Sequence, residues 1–246
     1  MATSQQVEEF RQAQSQIRTL AERDLRDYLE SLSLDVTRAD VVRDATAHLC
    51  QSVVNRYGLI NSQMAADLFE QMRKDKNARG EYRPTVADLT SDEAIDATTR
   101  YQARQLFIKE AGLTAFTDGM VAALGRWILN AGRDTIIKNA IADKSCVGYA
   151  RVAHGETCDF CTMLAGRGAV YVKETGGFAS HDHCDCTAEP SWDTTRPLAS
   201  RHQLQAAGRM DRLRRRANSD DQKVREQAEA VLARHREATR EFLAHE

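Results

Sequence analysis

Five side chains able to hold a metal fall within 29 consecutive residues, in the pattern Cys158-x2-Cys161-x19-His181-x2-Cys184-x-Cys186. Thiolate and imidazole are preferred donors for zinc, and a structural zinc takes four of them in a tetrahedron. A Cys-x2-Cys turn sets two sulfurs on one side of a tight bend, and His181-x2-Cys184 repeats that spacing. Cys158, Cys161, His181 and Cys184 are the first-choice ligands. Cys186 is the fifth candidate and can displace Cys184 or His181, because in an extended stretch Cys184 and Cys186 point to the same face. A closed site leaves no open position for water, so its expected role is structural rather than catalytic. Metal binding would supply folding free energy on the order of 10 kcal/mol to a unit too small to support itself. Asp182 and Asp185 are candidate acceptors for the His181 ring, and His183 is read as solvent-facing. Two rival readings are a set of free buried thiols and a redox Cys-x2-Cys. The second lacks the thioredoxin-like βαβ surroundings it needs.

The elements that must position these residues read as mostly helical. Apolar residues recur at helical spacing from Val7 to Leu32, with Ser4 as N-cap. A second helix is expected from about Arg38 to Tyr57, closed by Gly58 as C-cap. A third starts at Asn61 or Ser62 as N-cap and ends in Arg73-Lys74-Asp75-Lys76. Residues 77–91 read as a connector, followed by helices over Asp92 to Ala111 and Thr114 to Ala140. Gly119, Gly125 and Gly132 lie inside the last of these and predict a kink, a break or close backbone packing. Around the Cys–His block, 148–152, 169–172 and 186–189 read as short strands, the last closed by Pro190. Asp159 to Ala165 reads as a short helix. From Leu198 the chain returns to charged helix, broken at 218–221. The expected fold class is mainly α, in three parts: a helical region over 1–143, a small zinc-stabilised α+β unit over 144–196 and a helical tail over 197–246.

Composition agrees with helices and excludes several classes. Proline is 3 of 246 residues, against roughly 5% in average proteins. The formal net charge is -2, which argues against a globally basic nucleic-acid binder. No apolar run reaches the roughly 18–20 residues of a membrane span, and the start has no apolar h-region of a secretory signal. A reducing cytoplasm is therefore the expected place of synthesis, where clustered cysteines favour metal or redox roles over disulfides. Cys50 and Cys146 stand apart and read as small buried hydrophobes. No nucleophile elbow or Ser/His/Asp set is visible, so an enzyme is not expected.

The stretch Tyr149-Ala-Arg-Val, Cys158-Asp-Phe-Cys161-Thr-Met-Leu-Ala-Gly-Arg-Gly168, Tyr171, His181-Asp-His-Cys184-Asp-Cys186 and Pro190 resembles the C-terminal domain of MuF-like head morphogenesis proteins. These are minor capsid proteins of tailed bacteriophages, and the likeness leans toward those infecting actinobacteria. Tyr57-Gly58, Ala65 to Phe69, Arg73 and Gly132 to Ile136 resemble the helical part of the same group. The resemblance implies a structural virion protein, made in the host cytoplasm and associated with the portal vertex in head assembly. Its implied partners are the portal protein and other head proteins, with no membrane.

Arg209, Arg212, Arg214, Arg215 and Arg216 form a basic run in a tail with eleven Lys or Arg against eight Asp or Glu. That run reads as a contact for packaged DNA or an acidic portal face, or as a solvated helix face. Two alternatives from other classes are a zinc-dependent nuclease packaged in the head and a DNA-binding accessory protein.

Overall fold

The computed structural model describes residues 5–31, 38–108, 112–154, 159–172, 178, 180–193, 213, 216–217 and 221–244. For 159–160 and 234–244 only the backbone is described. The chain forms two compact units, Met1–Pro197 and Leu198–Glu246. The fold is mainly α, with one two-stranded sheet among the described residues.

In the first unit, α1 (Gln5–Ser31) buries Val7, Phe10, Gln14, Ala21, Leu25 and Leu29, the three- and four-residue spacing of one helix face. Ser4, expected to cap it, lies outside the described residues. Next come α2 (Ala39–Val53) and α3 (Leu59–Asp75). The expected break at Gly58 is absent. Val54–Gly58 is a π-helical turn with Gly58 at φ -64 and ψ -43, so α2 and α3 run on as one helix. Gly58 is chosen for space: a Cβ there would lie 3.2 Å from the Leu89 side chain. Nor do Asn61 and Ser62 cap a helix. Both are buried, and they donate to the Ile128 and Ala131 carbonyls of α5 (Gly112–Ala142) at 2.6 and 3.1 Å.

The connector over 76–91 is a strap along α5 (Gly112–Ala142). Asn139 donates to the Thr85 carbonyl at 2.9 Å, and its Oδ1 accepts from the Thr85 N–H and the Tyr82 hydroxyl at 2.9 and 2.8 Å. Thr135 accepts from the Ala87 N–H at 3.0 Å. These side chains satisfy backbone groups that have no ladder partner. Helix α4 (Asp92–Gln102) follows, capped by the Ser91 hydroxyl, which accepts from the Ala94 N–H. It passes into a 3-10 turn over Ala103–Phe107 instead of continuing as α-helix to Ala111.

Helix α5 is the centre of the unit. Its buried residues run nearly all round, from Phe116 and Met120 through Leu124, Trp127 and Ile128 to Ile136. Its interior glycines produce close packing with no break: a Cβ at Gly125 would meet Glu22, and one at Gly132 would meet Gln14.

After α5, β1 (Gly148–Val152) pairs antiparallel with β2 (Thr187–Ser191), Tyr149 opposite Pro190. Pro190 therefore lies inside its strand and does not end it. Tyr149 turns both backbone groups toward Tyr171, at 2.9 and 3.2 Å, so Tyr149–Pro190 is a non-hydrogen-bonded pair. That register asks for no N–H from Pro190. The stretch 169–172, expected as a strand, contributes only the Tyr171 bridge to Tyr149. Between the strands lies α6 (Asp159–Ala165), and β2 packs on α5 and α1.

In the second unit, α7 (Gln222–Ala244) begins at Asp221, whose carboxylate accepts from the Lys223 and Val224 N–H groups at 2.9 and 3.2 Å. No helix of the described residues is long and apolar enough to cross a membrane.

Candidate metal centre

Helix α6 delivers Cys161, and a turn delivers His181 and Cys184. The Cys184 N–H closes that turn on the His181 carbonyl at 3.2 Å, with His183 in the left-handed region at φ 61. Cys161 Sγ lies 3.6 Å from Cys184 Sγ and 3.5 Å from His181 Nε2. The ligand atoms of Cys161, His181 and Cys184 all fall within 4.8 Å of one another, and this group can hold a metal ion.

The His181 ring is set for that role. Nδ1 lies 2.7 Å from the Asp182 carbonyl oxygen. A carbonyl only accepts, so Nδ1 carries the proton and Nε2 presents its lone pair to the sulfurs. The acceptor is thus a backbone oxygen and neither of the expected carboxylates. Asp182 is bonded to Arg126 at 2.7 Å and Asp185 to Arg11 at 3.0 Å.

The remaining candidates divide. Cys186 is buried and exchanges hydrogen bonds with the Cys161 and Cys184 thiols, outside the three-atom cluster. Cys158 lies outside the described residues. The exposed His183 side chain stands away from the sulfurs, near Glu22.

Two buried arginines flank the sulfurs. Arg151, on β1, points Nη1 at Cys161 Sγ and Cys184 Sγ, at 3.5 and 3.8 Å. Its guanidinium lies over the Phe178 ring, 3.8 Å from the centroid. Arg133, on α5, donates to the Cys186 and Cys184 carbonyls at 2.7 and 2.6 Å, with Nη1 on Asn130 at 3.0 Å. Hydrogen bonds from the Cys161 and Cys186 thiols, then the Arg133 charge, pull Cys184 well below the ordinary thiol range. Cys161, as donor to Cys184, is pushed up.

Further ties fasten the segment to the helices. Ser180 bonds Asn130 at 2.8 Å. His154 bridges Glu8 of α1, at 3.1 Å from Nδ1, to the Thr187 hydroxyl, at 2.9 Å from Nε2. Burial lowers His154 from its usual value, partly offset by the Glu8 carboxylate. Sequence reasoning passed over His154, Phe178 and the part played by Arg133. The available signal for Arg133 was a cation inside the apolar run Ile128-Leu129…Ile136. The other thiols stand apart: Cys50 is buried and pushed up to about 12 by desolvation, while Cys146 is half-buried and bonded to the Gly148 and Ser191 carbonyls.

No curated protein and no solved structure matches this chain. One family does: residues 1–207 match the VG15 protein, a span that takes in every helix of the first unit, both strands and all five candidate ligands. The chain belongs to the VG15 protein family, a family of phage proteins.

Proposed function

We propose that this phage protein is a MuF-like minor capsid protein, a structural component associated with the portal vertex during head assembly, with a structural zinc in its Cys–His segment. The observation that carries the reading is the joining of Cys161, His181 and Cys184 in one cluster, in a member of a phage family. Zinc suits the spacing. Bonds of about 2.3 Å to sulfur and about 2.0 Å to nitrogen give tetrahedral edges of about 3.8 Å between sulfurs and about 3.5 Å between sulfur and nitrogen. The corresponding separations here are 3.6 and 3.5 Å. The fourth ligand is Cys158 or Cys186.

A structural role is supported by what the nearby carboxylates do. Asp182 and Asp185 sit in ion pairs with Arg126 and Arg11, so both are engaged in holding the segment to α5 and α1. Neither stands beside the sulfurs as an acid or base, which weakens the nuclease alternative. The proposed partners are the portal protein and other head proteins, in the virion and, during assembly, in the host cytoplasm. Of the basic run proposed to meet packaged DNA, Arg216 is exposed. Arg209, Arg212, Arg214 and Arg215 lie outside the described residues.

Co-expression of the chain with the portal protein encoded by the same phage tests the assignment. The expected result is a complex that survives size exclusion, with the chain present in purified heads. A chain missing from heads and never retained by portal contradicts it. Metal-dependent DNA cleavage by the purified chain would install the nuclease reading in its place.

A further inference from the structure

We infer that Arg133 is a positioning residue of the metal centre, fixing the backbone of its Cys184–Cys186 arm from α5 and, with Arg151, setting permanent positive charge beside its thiolates. The inference rests on the reading of the Cys–His segment as a metal centre.

Arg133 is 1% exposed, one of the most buried large side chains of the protein. A guanidinium taken out of water needs both hydrogen-bond acceptors and a compensating negative charge. The acceptors are plain: two ligand-arm carbonyls and the Asn130 side chain. All three are neutral. No ion pair joins Arg133 to a carboxylate among the described residues, so the charge must come from elsewhere. The nearest source is the sulfur cluster whose backbone Arg133 grips. Zinc with two thiolates is neutral and leaves the cation uncompensated. With three thiolates and the His181 imidazole it carries one negative charge, which faces two buried cations, Arg133 and Arg151. Cys161 and Cys184 supply two of the three, and Cys158 or Cys186 the third.

The geometry asks for arginine in particular. Nε and Nη2 reach carbonyls two residues apart, a match for the rigid guanidinium fork that a lysine ammonium cannot make. Asn130, one turn earlier on the same face of α5, completes the grip. Its Oδ1 accepts from both Arg133 Nη1 and the hydroxyl of Ser180, the residue before His181. One turn of α5 thus holds both ends of the segment that presents His181 and Cys184. None of these atoms is a ligand, so changes here act on metal affinity only through position and charge.

The test uses the full chain, stripped of metal and titrated anaerobically with Co2+, whose visible bands report tetrahedral thiolate coordination. Zn2+ displacement then gives relative affinity, and helical content is checked alongside. Arg133→Gln is expected to bind about 10–100-fold more weakly, the usual effect of losing an outer hydrogen-bond partner of a metal site. Arg133→Lys, which keeps the charge and loses the fork, falls between. A folded Arg133→Gln with wild-type affinity and bands overturns the inference. Should that variant not fold, Arg133→Lys and Asn130→Ala decide: weakened binding in both supports the assignment, and wild-type affinity in both overturns it. A wild-type chain that binds neither ion removes the metal-centre reading itself. Wild-type binding with unaffected variants removes the positioning role alone.

Discussion

Gly132 and Arg133 are neighbours on α5, and they face two differently built regions. At Gly132 the helix meets the Gln14 and Asn61 amides, a neutral pair bonded at 2.9 Å beside a packing of Leu, Ile and Phe side chains. At Arg133 it meets the Cys184 and Cys186 carbonyls and the Phe178 ring, over which a second buried guanidinium, Arg151, also lies. The helical layers hold by apolar burial, with a few amide and hydroxyl bonds fixing the register of α1, α3 and α5. The Cys–His segment has two short strands and a seven-residue helix, too little apolar surface to stand on burial alone. It holds by charge and hydrogen bonds tied to α1 and α5 and, on the proposed reading, by metal-ligand chemistry. The same helix therefore serves as core in one direction and as scaffold for a polar centre in the other.

Breaking each region by its own chemistry separates them. The largest effect is expected from Cys184→Ser, which removes a proposed ligand and with it a share of a metal-binding free energy on the order of 10 kcal/mol for the whole site. In hydrogen exchange, amides of 180–191 should lose protection while those at the centres of α3 and α5 keep it. Equal loss in both would make the two regions one cooperative body. Phe116→Ala, at a fully buried site on α5, should cost about 3–5 kcal/mol in urea unfolding and leave metal content unchanged. Asn61→Ala should cost about 1–3 kcal/mol, because it strands the buried Gln14 amide and removes the side-chain tie to the Ile128 carbonyl.

The smallest of these effects is pH-dependent. Burial raises the Asp143 carboxyl, but bonds from Ser145 and from Arg73 at 2.9 Å outweigh it, and the group is held below the ordinary carboxylate value. A depressed carboxyl contributes stability above its unfolded value of about 3.9 and loses it as pH falls through the folded one. Asp143→Asn should therefore be less stable than wild type by about 1 kcal/mol at pH 7, with the gap narrowing as pH falls below the unfolded value. A gap that does not narrow in acid would show that shape, and not charge, sets the contribution of Asp143.

Much of this was legible in the sequence where one local rule decides. The spacing of Val7, Phe10, Ile17 and Leu25 gives α1, and the Gly148-Tyr-Ala-Arg-Val run gives β1. What escaped depends on distant partners. Gly58 reads as a terminator locally, yet serves as a gap for Leu89. Asn61 and Ser62 read as caps, and bond a helix nearly 70 residues away. Pro190 reads as a strand end until the register shows that no N–H is needed there. In the centre itself, spacing brought Cys161, His181 and Cys184 together on the page. It could not reveal the Asp182 carbonyl behind His181 or Arg133 behind Cys184. Those contacts arise from packing of the segment on α5, which no single stretch of residues encodes.

The most direct test is the metal content of the purified full chain, measured by elemental mass spectrometry alongside a fold check. About one zinc per chain is predicted, lost together with the structure of the Cys–His segment on chelation under reducing conditions. A chain that holds no metal and keeps that segment protected would contradict the account.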